Sequence, residues 1–338
     1  MIPDAFNMLR KLTFRKMLNI LLVQLSFHLS TLMKKPVVWG KPWFISIEPA
    51  SICNLACPQC PTGKGDITRQ KPFMDPGKYR ELLDELSPTT ALLSLYFQGE
   101  PLMHRDFTSF VKAAADKKIY TQTASNGQLL TENACRGIVD AGLDRIIISL
   151  DGADQESYQA YRRGGDIEKV KNGIRTLERV RRERGSGKPF IVVQFLVFKH
   201  NRHQLMDVKK LAGQLGADKV WIKTAQMEYP DSADEWIPED PDLSRYAMGT
   251  SGEWAQKGKL RNRCRRLWQT TVITSDGTIL PCCFDKRAVY TMGSAVGQGI
   301  AATWKNKSYQ DFRKRILLNR RETAICTNCT EGIGRIFN

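Results

Sequence analysis

"WFISIEPASICNLACPQC", residues 43–60, is the stretch whose reading decides the fold. Its first half is a short apolar, β-branched run with the pattern of a buried strand. Its second half delivers Cys53, Cys57 and Cys60 at the spacing C-x3-C-x2-C. A strand that opens directly onto clustered thiols places metal chemistry at its C-terminal end, the face on which (β/α) barrels carry out reactions. Structural zinc wants four protein ligands, and no further Cys or His stands near this loop. Three thiolates suit a [4Fe–4S] cluster with one iron left open for an exogenous ligand; zinc or unrelated buried cysteines are the alternatives.

Outward from this stretch the chain alternates. The runs "WFISIE", "LLSLYF", "IYTQTA", "RIIISL", "FIVVQFLVF" and "KVWIKTA" are separated by helical patterns at 75–86, 104–117, 131–141, 166–184 and 202–215. Six strands with five intervening helices predict right-handed βαβ crossovers and a parallel sheet. With six units rather than eight, this α/β sheet is expected to form a partial (β/α)6 barrel over residues 36–228, open on one side. A stretch rich in Pro, Asp, Ser and Gly at 229–262 reads as a linker, and 263–338 as a small module holding five of the nine cysteines.

Residues 1–35 form a separate segment, in which Phe6 to Lys35 reads as helix. Leu18, Leu22, Leu25, Leu29 and Leu32 share one face, and Asn19, Ser26 and Ser30 lie on another. Polar interruptions make it a poor membrane span. Arg10, Lys11, Arg15 and Lys16 before it, and Lys34 and Lys35 after it, give the pattern of a helix lying in an anionic membrane interface. A helix packed on the barrel is the competing reading.

The formal charge of +16 predicts an anionic partner: nucleic acid, a membrane surface or a phosphorylated substrate. Tracts such as "RTLERVRRERGSGK" are equally served by a solvated helix face. Nine cysteines are too sparse for a disulfide scaffold, and no cleavable signal site follows the first apolar run, so a reducing cytoplasm is expected.

In the C-terminal module, Cys264 precedes "TTVITSDGTILPCCF", a hairpin pattern with Asp276-Gly277 at the turn and Cys282 at the end of the return strand. With Cys326 and Cys329 these make four thiols, enough to ligate a second [4Fe–4S] cluster or a zinc ion. Cys283 is a spare thiol, the rival ligand, or a hydrogen-atom donor. Cys135, within "TENACRGIVDAGL", reads as a small core residue.

Taken with "FQGEPL", "TASNG" and "ISLDGADQESYQAYRRGG" after successive strands, the cysteine loop resembles that of the radical S-adenosylmethionine (SAM) superfamily. The resemblance implies a [4Fe–4S] cluster on Cys53, Cys57 and Cys60 whose open iron chelates SAM. It further implies a cellular one-electron reductant, and reductive cleavage to a 5′-deoxyadenosyl radical that abstracts hydrogen from a substrate. Gln98, Gly99 and Glu100 map onto the family's Gly-Gly-Glu-Pro, with Gln98 where the first Gly is usual. Ser125, Asn126, Ser149, Asp151 and Arg162 are the further cofactor candidates. The pattern C-x12-G-x4-C with a distant C-x2-C is similar to the SPASM/twitch subgroup. With too few cysteines for the full pattern, one auxiliary cluster on Cys264, Cys282, Cys326 and Cys329 is implied, serving as an electron conduit.

Dehydrogenation, epimerisation and bond formation all fit such a site. The expected substrate is an anionic small molecule or a lipid-linked one, and contact with an anionic membrane is the expected partner at the inner face. RNA or peptide modification is the alternative. Only about forty residues precede the first strand, which leaves no room for an appended leader-peptide domain, and no RNA-binding module with stacking aromatics is evident. A non-catalytic zinc protein is the remaining alternative.

Overall fold

The computed structural model describes residues 4–250, 252–331 and 333. Six parallel strands follow in sequence order: β1 (Phe44–Ile47), β2 (Leu92–Ser94), β3 (Tyr120–Ser125), β4 (Arg145–Ser149), β5 (Phe190–Val197) and β6 (Lys219–Thr224). The partial (β/α)6 barrel is therefore present. Its outer helices start where capping chemistry says they should. Before the helix Pro76–Leu86, Asp75 accepts from the Lys78 N–H and Pro76 occupies the first turn, while Tyr79, Leu82, Leu83 and Leu86 face inward. Asp166 caps the helix Ile167–Glu183, which buries Val170, Ile174 and Leu177 and leaves most of its arginines outward. The remaining crossover helices are Phe107–Asp116, Glu132–Asp140 and Leu205–Gln214, with an unforeseen short helix at Gln155–Tyr161. Cys135 is buried in the core, as its helical pattern suggests.

The C-terminal hairpin joins the same sheet. Strand β9 (Thr270–Ile273) pairs in parallel with β1, Phe44 opposite Thr270, and β10 (Thr278–Leu280) and β11 (Gly293–Ser294) continue antiparallel beyond it. Gly277 makes the β9–β10 turn at φ +88°, a conformation that favours glycine. The stretch 229–262 is more structured than a linker, since β7 (Tyr246–Met248) and β8 (Trp254–Gln256) form a small sheet of their own.

The N-terminal segment is two helices, α1 (Asp4–Leu9) and α2 (Phe14–Met33), rather than one. They cross the N-terminal end of the barrel, opposite the cysteine loop. Asn19 donates to the carbonyls of Lys41 and Thr89 and accepts from the Lys41 N–H. Lys16 donates to the Lys118 carbonyl and Lys11 to that of Ile119, and Asn7 and Lys11 hold Asp144. Each of these barrel residues lies just before a strand begins.

Candidate active site

The loop after β1 carries Cys53, Cys57 and Cys60 to the C-terminal end of the sheet. Leu55, Tyr161, Phe198, Met227 and Trp236 pack around them. Burial pushes the Cys53 thiol up to about 11 and raises Cys57, so thiolates here need positive or hydrogen-bonding partners. The structure supplies them. The Arg162 guanidinium reaches Cys57 Sγ at 3.9 Å, and the Asn126 amide reaches Cys53 Sγ at 3.6 Å.

Asp151 lies beside them: it accepts from Arg162 Nε at 2.6 Å and from the Leu196 N–H at 2.7 Å. Asp151 therefore orients Arg162, and Arg162 faces a thiol. Ser149 is buried at the end of β4.

The Gln98-Gly99-Glu100 turn closes the other side. Gly99 has φ +71°, and a Cβ there would fall on the Ala50 carbonyl oxygen and 2.7 Å from that of Ile52. This cradle admits only glycine. Glu100 is buried and accepts from the Ser125 hydroxyl at 2.9 Å and the Asn126 N–H at 2.8 Å. Burial raises its carboxyl above the usual range, and these donors pull it back. Gln98, Gly99, Glu100, Ser125 and Asn126 thus converge beside Cys53, with Asp151 and Arg162 beside Cys57.

Sequence reasoning missed Glu48. At the end of β1 it is buried, accepting from Arg69 Nε at 3.1 Å, the Ser275 N–H at 3.0 Å and the Gln98 N–H at 3.2 Å. The signal was a lone carboxylate closing an apolar strand. Gln59, between Cys57 and Cys60, was missed too. It accepts from the Glu228 and Tyr229 N–H groups and donates to the Ser232 hydroxyl, stapling the cysteine loop to the segment after β6.

In the second group, Cys264, Cys282, Cys326 and Cys329 are all buried and within electrostatic reach of one another. Arg320, itself buried, donates to Cys329 Sγ at 3.4 Å, and its Nε has no partner among the described residues. Cys283 lies within electrostatic reach of Cys282 and of Tyr96, and its sulfur receives Arg266 at 3.8 Å. Among the described residues no three His, Cys, Asp or Glu side chains close around a single-ion centre. A cavity of about 440 Å³ is lined by Met227, Glu228, Trp254, Phe284, Arg287 and Asn328 among others, residues of the segment after β6 and of the C-terminal module.

A radical SAM superfamily profile matches residues 47–212, and an iron–sulfur cluster-binding SPASM profile matches residues 264–330. The chain belongs to the radical SAM superfamily. Two curated relatives are informative. The tungsten-containing aldehyde ferredoxin oxidoreductase cofactor-modifying protein of Pyrococcus furiosus is 23% identical over 317 residues, covering 85% of this chain and 87% of that protein. PqqA peptide cyclase of Bradyrhizobium diazoefficiens is 26% identical over 191 residues, covering 56% of this chain and 48% of the cyclase, so the match spans about half that relative's length.

Among solved structures, Streptococcus suis SuiB bound to S-adenosylmethionine has a TM-score of 0.65 at 16% identity, covering 91% of this chain and 76% of SuiB. BtrN in complex with AdoMet and 2-DOIA gives 0.52 at 20%, covering 86% and 94%. These share the fold. The radical SAM and SPASM domains together make this chain an enzyme that uses SAM and iron–sulfur clusters, and the donor sets described above fit both groups.

Proposed function

We propose that this radical SAM/SPASM enzyme abstracts hydrogen from an anionic substrate bound in the cavity between the cysteine loop and the C-terminal module. The observation that carries the reading is the Gln59 staple. It ties the loop bearing Cys57 and Cys60 to the wall of a cavity whose other wall follows Cys282 and includes Thr327 and Asn328, between Cys326 and Cys329. A substrate there would stand between the segment stapled to the cysteine loop and the stretches that carry Cys282, Cys326 and Cys329.

When bound, the cluster and SAM supply a one-electron cleavage that yields a hydrogen-abstracting radical. The chain's own residues do the positioning. Cys53, Cys57 and Cys60 hold the cluster, Gly99 and Glu100 receive the cofactor's amino end, and Ser125, Asn126 and Ser149 offer hydroxyl and amide groups to its polar parts. Arg162 offsets thiolate charge. Lys286 and Arg287, which both pair with Glu228, line the cavity together with Asp285, and Trp254, Met227 and Phe284 supply apolar surface.

Cys264, Cys282, Cys326 and Cys329 hold the auxiliary cluster, an electron conduit to or from the substrate. Cys283 adjoins Cys282 within electrostatic reach and is the rival for its place as ligand; Cys282 is preferred here because Gly277-x4-Cys282 fits the ligand spacing. A cellular one-electron reductant and, at the other end of the barrel, a membrane surface are the further partners of a cytoplasmic enzyme.

An anionic peptide is the second reading. It is favoured by similarity to PqqA peptide cyclase and to SuiB, which was solved bound to its precursor peptide SuiA.

The test is direct. Anaerobic protein with SAM and dithionite is given metabolite and peptide extracts fractionated by anion exchange, and 5′-deoxyadenosine is measured. Retained fractions should accelerate its formation, with deuterium carried into it from labelled extract. Acceleration by neutral fractions alone refutes the anionic substrate.

A further inference from the structure

The helix Phe14–Met33 is packed the wrong way round for a soluble surface helix. Its inward face is Lys16, Asn19, Val23, Ser26, Phe27 and Ser30. Asn19, Lys16 and Ser30 spend their polar atoms on backbone groups, the last with Val37 at 2.8 Å. The leucines are left outside. Phe14, Leu18, Leu21, Leu25 and Leu32 are exposed at i, i+4, i+7, i+11 and i+18, a single stripe about 27 Å long at 1.5 Å per residue. Phe14 is 76% exposed and Leu32 82%.

Ten of the seventeen exposed large apolar side chains among the described residues fall between Phe6 and Trp39. Scattered apolar residues on a surface need no explanation, but a concentration of this kind marks an interaction site.

Charge selects the partner. Between residues 5 and 47 the sequence has seven Lys and Arg and no Asp or Glu. Arg10, Arg15, Lys34 and Lys35 are exposed at the two ends of the stripe. A protein partner for an apolar stripe would not require cations at both ends without a single carboxylate between them. A bilayer with anionic headgroups does: leucines enter the acyl boundary and the flanking cations meet the lipid phosphates. The helix has the length and composition of a membrane span. It does not serve as one while its polar face is bonded to the barrel.

We infer that α2 is an in-plane membrane anchor that docks the N-terminal end of the barrel, through the Phe14/Leu18/Leu21/Leu25/Leu32 stripe, onto an anionic lipid surface. This deepens the partner named under Proposed function and is independent of the reaction. Its consequence is orientation. The anchor lies under the start of the strands and the cysteine loops at their ends, so the docked enzyme opens its active site away from the lipid. Substrate therefore arrives from the aqueous side.

The test uses reconstituted full-length protein with phosphatidylglycerol-rich vesicles, with pure phosphatidylcholine vesicles for comparison, read by co-sedimentation. The parent should sediment with the anionic vesicles, less so as salt is raised. Leu21→Glu/Leu25→Glu should lower partitioning by at least about tenfold, while iron content and SAM-dependent release of 5′-deoxyadenosine stay at parent levels. Should the glutamates disturb folding, Leu21→Ser/Leu25→Ser provides the milder version, and Arg15→Gln/Lys34→Gln/Lys35→Gln should flatten the salt dependence.

Three results overturn the inference: a parent that does not sediment, a double variant that sediments as the parent does, or a parent dimer that the double variant converts to monomer. The last would assign the stripe to a second copy of the chain. Loss of 5′-deoxyadenosine release by the parent, with vesicle binding intact, would count against the enzymatic reading and leave the anchor standing.

Discussion

Replacing Glu48 with Gln exchanges one oxygen for an NH2 group and removes a negative charge where three parts of the chain meet. Its carboxylate joins Arg69 in the loop beyond the cysteines, Gln98 in the cofactor turn, and Ser275 at the β9–β10 turn. Both partners of the ion pair are buried, with side-chain exposures of 2% for Arg69 and none for Glu48. An amide can accept from Arg69 and Ser275 or from Gln98. In either pose its NH2 group faces a donor, a loss of about 1–3 kcal/mol.

The Arg69 guanidinium also loses its counter-charge, and breaking a buried pair from one side costs about 3–5 kcal/mol. The two penalties overlap, since the same reorientation relieves part of each. Arg69 keeps the Lys286 carbonyl at 2.9 Å and the Phe97 ring at 5.9 Å. About 4 kcal/mol of destabilisation is therefore expected, read as a lower urea midpoint of the anaerobically reconstituted protein. Because Gln98 loses its anchor, SAM should also bind more weakly in equilibrium dialysis. Arg69→Met in the same chain should recover part of the stability, as a double-mutant cycle would show. A loss under about 1 kcal/mol, with cofactor affinity unchanged, would refute the idea that Glu48 holds these segments together.

Gly99→Ala should leave iron content near normal but abolish measurable SAM binding, because positive φ costs about 1–2 kcal/mol and the Cβ meets the Ala50 and Ile52 carbonyls. Normal affinity would show that the turn can move. Anaerobic protein should carry about eight iron per chain. Cys282→Ala should lose roughly half of it and Cys283→Ala none; the reverse pattern would exchange their roles, and a Cys283→Ala enzyme that forms 5′-deoxyadenosine but stalls before product would make Cys283 the hydrogen donor. Burial lowers the Lys16 ammonium to about 8, so the docked helix binds its proton less tightly than the released one. Docking on the barrel should therefore strengthen as pH rises from about 8 towards the ordinary lysine range, seen as slower limited proteolysis of residues 10–35, and Lys16→Met should reduce that dependence to the part carried by Lys11, whose ammonium burial also lowers.

The barrel was legible because each unit carries its own signal. "RIIISL" and "FIVVQFLVF" are apolar and β-branched, and Asp75-Pro76 and Asp166 announce helices at the positions where they begin. The thiols were legible from spacing. What the chain does not show locally is pairing across long separations: that β9 lies beside β1, or that Glu48 meets Ser275. Nor does spacing reveal a residue's partners. Asp151 and Arg162 read as two separate cofactor candidates, and spacing does not show that they are paired with each other.

The N-terminal helix shows where a pattern rule has two answers. Hydrophobic periodicity places Leu18, Leu25 and Leu32 of α2 on the outward face but not Leu22 and Leu29, which are half-buried while Leu21 is exposed, and it says nothing about which neighbour that face meets. The rule that apolar faces turn inward assumes that the inside is apolar. At the N-terminal end of a half-barrel it is not: the residues entering successive strands present the carbonyls of Lys41, Thr89, Lys118 and Ile119. Buried carbonyls need donors, and leucine has none to give. Asn19 and Lys16 on α2, and Lys11 just before it, have several, so the α2 face that carries polar donors beside Val23 and Phe27 is the one that seals this end. Once the polar face is committed there, geometry sends Leu18, Leu21, Leu25 and Leu32 outward. Packing on the barrel and insertion at a membrane, which the sequence offers as rivals, call on different faces of one helix: the first uses the polar face and leaves in the open the face that we propose meets the membrane.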